Sequence, residues 1–169
     1  MNLDQIAAGS LCVLDTNILL YAEQGTSPQA QRLLRRIGNG EILGVLPQPV
    51  WHELSHKLML AEAFMLGSIK GRNPAQQLSD KPQLIKSLRI YQEKVRALVT
   101  LGIKFEACTQ NDMIETAFAL QTRHGLMTND SIILAIALRI QADALVSADK
   151  RFLSIQDIAV FTPSDISKS

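Results

Sequence analysis

The 169-residue, 18.6 kDa chain is 47% apolar and 20% charged, a globular composition long enough for a core and short for two domains. With 17 Lys and Arg against 16 Asp and Glu, a net charge of +1 argues against nucleic-acid binding by bulk positive charge, though not against an enzyme using a local patch or a metal. No apolar run approaches the roughly 20 residues that span a bilayer, and MNLDQIAAGS lacks the basic and apolar regions of a signal peptide, so a cytoplasmic protein without membrane contact is expected.

In chain order, Leu11–Leu14 (LCVL) is a short run rich in Val and Leu, the pattern of a strand covered on both faces. Its Cys12, and Cys108 further on, are too few for a disulfide framework and are expected as buried free thiols in a reducing compartment. Helical patterns follow at 17–23 and 28–38, then a strand at 42–46 and a long helix at 48–66. Residues 67–82 carry two Gly and two Pro and read as a loop rather than a domain linker. A helix over 82–100, a strand at 103–107 and a helix over 110–124 come next. In the helix predicted over 129–141, Ile132, Ile133, Ile136, Ala137 and Ile140 share one face, with Thr128 and Asn129 as natural caps. Strands at 144–147 and 158–161 precede a polar tail, about 164–169, expected to fray. There are no convincing repeats. Strand–helix alternation predicts one α/β domain over 1–169, a parallel sheet with helices on both sides.

Asp15 directly follows the first strand, in VLDTN, and Asp149 comes after the fourth, in LVSAD. Ligands of open parallel sheets bind outside the carboxyl ends of the strands. Connecting helices run antiparallel to the strands, so their N-termini reach the same edge. Asp130 begins the helix entering strand four, and Glu53 lies in the first turns of the helix leaving strand two. Each acid alone has an ordinary reading as a cap, a dipole partner or a solvated helix residue. Together, four carboxylates from distant segments repel one another unless a cation neutralises them, and a hard divalent ion with oxygen ligands suits them.

The segments VLDTNILLYA, PQPVWHEL and MTNDSIILAIAL…ADALVSADKRF, in that order over nearly the whole chain, resemble PIN-domain nucleases, most of all VapC-type toxins of toxin–antitoxin pairs. The resemblance implies a three-layer α/β/α fold with a five-stranded parallel sheet ordered 3-2-1-4-5. It also implies a Mg²⁺- or Mn²⁺-dependent endonuclease, usually acting on RNA, with Asp15, Glu53, Asp130 and Asp149 as metal-binding acids. Asn17 of the DTN triplet and Ser147 match accessory polar positions; Thr often stands where Ser147 does. The partners expected are an RNA substrate, a cognate antitoxin and a second copy in a homodimer. The apolar stretch 58–66 could serve either protein contact or pack within the domain. Lys150, Arg151 and Arg123 are candidate phosphate contacts, with a solvated surface role the more ordinary reading.

A catalytically quiet PIN-type binding module is the alternative, less favoured because all four acids are present. His52-Glu53-Leu54-Ser55-His56 is formally the zinc-protease H-E-x-x-H. An extended form of that pattern wants Gly and His where Met59 and Glu62 stand. Glu62 or His124 could be offered as third ligand, but this reading leaves Asp15, Asp130 and Asp149 unexplained. A haloacid-dehalogenase phosphatase wants a second Asp where Asn17 stands, and a dinucleotide site wants glycines that LDTNIL lacks.

Overall fold

The structure is a computed structural model and describes residues 1–166. Strands β1 (Leu11–Leu14), β2 (Leu43–Pro47), β3 (Lys104–Glu106), β4 (Ala144–Val146) and β5 (Ala159–Phe161) form one sheet ordered β3-β2-β1-β4-β5. Every pairing is parallel, with Cys12 beside Gly44 in β2 and beside Ala144 in β4. Successive strand residues point to opposite faces, yet Cys12, Val13 and Leu14 are all fully buried. Both faces are therefore covered, giving the three-layer α/β/α arrangement with β1 at its centre. The predicted strands are all found, within one residue at most ends.

The helices are α1 (Thr16–Gln24), α2 (Pro28–Gly38), α3 (Gln48–Met65), α4 (Pro74–Ser79), α5 (Pro82–Ser87), α6 (Ile90–Thr100), α7 (Ala117–His124) and α8 (Thr128–Arg139). Gly25 ends α1 in the left-handed region at φ +70°, which glycine adopts without a Cβ penalty. Gly44 in β2 has a packing reason: a Cβ there would meet Ile37 Cδ1 at 2.9 Å, so its absence lets α2 lie close on the sheet.

Several expectations are corrected. Residues 67–82 contain α4, and their two large apolar side chains, Ile69 and Leu78, are buried with Ala63 and Leu88 in a second small core. The helix predicted over 82–100 is broken at Leu88, which is extended (ψ 127°) and fully buried. The carboxylate of Glu62 on α3 accepts from the amides of Arg89 and Tyr91, both at 2.9 Å, and so starts α6 afresh. Helix 110–124 contains a π-helical turn at Asp112–Thr116. Met127, not Thr128 or Asn129, is the N-cap of α8, with no side-chain cap bond. Of the tail expected to fray, Asp165 accepts from the Ser27 hydroxyl and the Gln29 amide, both at 2.7 Å, and ties down the start of α2; residues 167–169 lie outside the described residues. Cys12 is buried as expected, Cys108 only half-buried, and both are free thiols. No helix among the described residues is long and apolar enough to cross a membrane.

Candidate active site

Asp15 is the first residue past β1 and the N-cap of α1, its Oδ1 accepting from the Thr16 amide at 2.7 Å. The ordinary capping role is therefore real, but it uses one oxygen. Oδ2 accepts from Asn17 Nδ2 at 2.7 Å and from the Ser147 hydroxyl at the end of β4. Asn17 turns its own Oδ1 to the Ala148 amide at 2.9 Å, so one amide group donates to β1's acid and accepts from the segment after β4. An aspartate there could do only the second. Ser147 Oγ also accepts from the Asp149 amide at 3.0 Å. The two accessory residues thus fasten Asp15 and the Asp149 loop to each other.

Asp15, Glu53, Asp130 and Asp149 line one solvent-open cleft of about 230 Å³ at the carboxyl edge of the sheet, together with Thr16, Asn17, Lys57 and Arg151. The four predicted acids, spread over 135 positions of sequence (15 to 149), are brought together. Sequence reasoning missed Thr16 and Lys57. Thr16 Oγ1 donates to Glu53 Oε2 at 2.8 Å, and Lys57 pairs with Glu53 Oε1 at 2.7 Å, a partner whose i,i+4 spacing was visible. Arg151, a candidate phosphate contact whose more ordinary reading is a solvated surface role, instead lies on the acids: it forks onto Asp149, and its Nη1 is 3.2 Å from Asp130 Oδ2. Arg123 pairs with Asp157 at 2.7 Å and does not line the cleft; Lys150 is exposed.

Burial raises the Asp15 carboxyl above its ordinary value, against the bonds from Ser147, Thr16 and Asn17. Burial also raises Asp130; Arg151 opposes it, while the charges of Asp149, Asp15 and Glu53 add to it. The guanidinium of Arg151 holds Asp149 below the usual range against a smaller effect of burial. Burial acts upward on Glu53, but Lys57 and Thr16 outweigh it.

The donor set fits a hard divalent cation: oxygen only, formally four negative charges against two positive ones. Asp130 Oδ2 is buried without a hydrogen-bond donor, because Arg151 is near but misaligned, and such an oxygen is a natural ligand position. As the side chains stand, no three of the His, Cys, Asp and Glu among the described residues close on one point. Lys57 and Arg151 hold Glu53 and Asp149 to themselves.

The H-E-x-x-H pattern gathers no comparable set. His52 and His56 are exposed on α3, and Glu53 turns toward Thr16 and Lys57. Glu62 is spent on the α6 amides, and His124 faces Asp157 at 3.1 Å. In the stretch 58–66, Leu58 and Ala63 pack inside while Phe64, Met65 and Leu66 are exposed.

A protein-family model described as the PIN domain matches residues 12–158. Among solved structures, the chain is similar to VapBC2 from Rickettsia felis bound to a promoter DNA fragment (TM-score 0.60, 16% identity, 90% of this chain and 98% of that one). It is also similar to a toxin–antitoxin complex from Klebsiella pneumoniae (0.58, 21%, 88% and 95%) and to DNA-bound VapBC from Salmonella typhimurium (0.55, 15%, 90% and 98%). At these identities the likeness is one of fold. The comparison with curated proteins gives no match.

Proposed function

Because the chain belongs to the PIN domain family, we propose that it is a metal-dependent endoribonuclease and the toxin component of a VapBC-type pair. The observation that carries the nuclease reading is the convergence of Asp15, Glu53, Asp130 and Asp149 on one cleft. These four would hold Mg²⁺ or Mn²⁺. When bound, such an ion lowers the pKa of a coordinated water and stabilises charge on the attacking and leaving oxygens of a phosphodiester.

The chain's own residues do the positioning. Ser147 and Asn17 orient Asp15, and Asn17 holds the Asp149 loop against the start of α1 through the Ala148 amide. Thr16 orients Glu53 from across the cleft. No side-chain nucleophile is needed, because hydrolysis takes its oxygen from water.

The toxin reading rests on the likeness to VapBC complexes. It assigns this chain a cognate antitoxin, a homodimer that uses the exposed Phe64, Met65 and Leu66, and a cytoplasmic setting suited to two free thiols. Incubating the protein with a structured RNA and with the matching DNA, in Mn²⁺, Mg²⁺ or EDTA, tests the activity. RNA fragments that need a metal support it. Intact RNA under every metal, from folded protein, overturns it in favour of a binding module.

A further inference from the structure

Among the described residues, Arg151 is the cation that reaches two of the four acids. Its Nε lies 3.1 and 3.0 Å from the two oxygens of Asp149, Nη2 also bonds Oδ2, and Nη1 is 3.2 Å from Asp130 Oδ2. The backbone beneath it is fixed: its amide donates to Asp149 Oδ1 at 2.9 Å, and the next residue, Phe152, is fully buried. The side chain itself is 51% exposed. A rigid base with a half-solvated head allows the guanidinium to move while its Cα stays in place.

The charge balance gives that motion a cause. Four carboxylates against Lys57 and Arg151 leave a formal charge of −2. A half-exposed ion pair is weak, so a divalent ion taking Asp130 and Asp149 displaces the guanidinium. A planar guanidinium freed beside a metal-loaded cleft matches the fork of phosphate oxygens.

We propose that Arg151 is an exchange residue: without metal it braces Asp130 to Asp149, and when a divalent ion takes those carboxylates it turns outward to hold the RNA phosphate. This rests on the nuclease reading above and adds to it that metal loading and phosphate binding are coupled through one side chain. By linkage the coupling is reciprocal, so phosphate also tightens metal binding.

The test is calorimetric titration of the full chain with Mn²⁺ alone. It is followed by titration with adenosine 5′-monophosphate, which offers no diester to cut, with and without Mn²⁺. Arg151→Gln is expected to bind Mn²⁺ about tenfold tighter than wild type. Lys150→Gln, which removes a neighbouring charge that touches none of the acids, is expected to shift it by no more than about twofold. Arg151→Gln also loses about tenfold in affinity for the nucleotide on the Mn²⁺-loaded protein, and almost none on the metal-free protein. Arg151→Lys keeps the charge but not the fork, falls between the two in Mn²⁺ affinity, and carries the test if Arg151→Gln does not fold. Equal Mn²⁺ affinity in wild type and Arg151→Gln, an equal gain in Lys150→Gln, or unchanged nucleotide binding to the loaded variant would overturn the exchange. Wild type that binds no Mn²⁺ would overturn the metal site itself, a distinct result.

Discussion

Ser147, just past β4, donates its hydroxyl proton to Oδ2 of Asp15, just past β1, 132 positions away in sequence. Ser147 Oγ in turn accepts from the Asp149 amide at 3.0 Å. One buried hydroxyl therefore sets the separation of two of the four acids, and its loss is felt at both.

Ser147→Ala is predicted to lower cleavage roughly 10–100-fold, the usual cost of losing a group that orients a ligand. Its stability falls by about 1–2 kcal/mol, because Asp15 and the Asp149 amide each lose a buried partner. Ser147→Thr keeps the hydroxyl and retains most activity. Cleavage rates and urea midpoints of the two variants check this; an inactive Thr variant with normal stability would refute the positioning role.

Glu62 is buried on α3 and serves the amides of Arg89 and Tyr91. Glu62→Ala leaves those two donors without a partner and is predicted to cost about 2–3 kcal/mol. Metal-dependent cleavage at a temperature where the variant stays folded is unaffected, because Glu62 does not line the cleft. A variant of normal stability that had lost metal binding would contradict this assignment.

The acid limit of stability is predicted to come from carboxylates such as Asp112 and Glu62. Burial pushes Asp112 up, but the Thr109 amide and Arg139 outweigh it and leave its pKa depressed. Glu62 is depressed in the same way, by backbone amides acting against burial. A depressed folded pKa gives stability that is fully present above the unfolded value, about 4, and is lost as pH falls through that value toward the folded one. The raised Asp15 and Asp130 carboxyls act the other way, adding stability as they take up protons, so the loss from the depressed groups should show as a drop in urea midpoint below about 4. Asp112→Asn is predicted to lose about 1–3 kcal/mol at neutral pH, since Arg139 is partly solvated, and to show a shallower drop in acid. An acid limb as steep as that of wild type would refute the role of Asp112.

The sheet was legible because its central strands are short apolar runs buried on both faces, as LCVL is, and because Asp15 sits directly after one of them and Asp149 three residues past the end of another. The bends in the helices were not. Residues 82–100 hold a helical pattern throughout, and the break at Leu88 depends on Glu62, whose contact is tertiary. Residues 67–82 read as a loop on composition, since their packing rests on Ile69 and Leu78 alone. In the site, acid positions follow from topology, but the direction of Arg151 does not. Two residues past Asp149, it could have faced solvent phosphate or its own neighbours, and only the folded loop decides.

The account stands most directly on cleavage of a structured RNA in Mn²⁺ by wild type, Asp149→Asn and His56→Ala, each with an EDTA control. The acidic-cleft account predicts cleavage by wild type, loss in Asp149→Asn by at least about 100-fold, and cleavage near the wild-type rate in His56→Ala. Activity that survives Asp149→Asn, or a zinc-bearing preparation that loses its metal on His56→Ala, would contradict it.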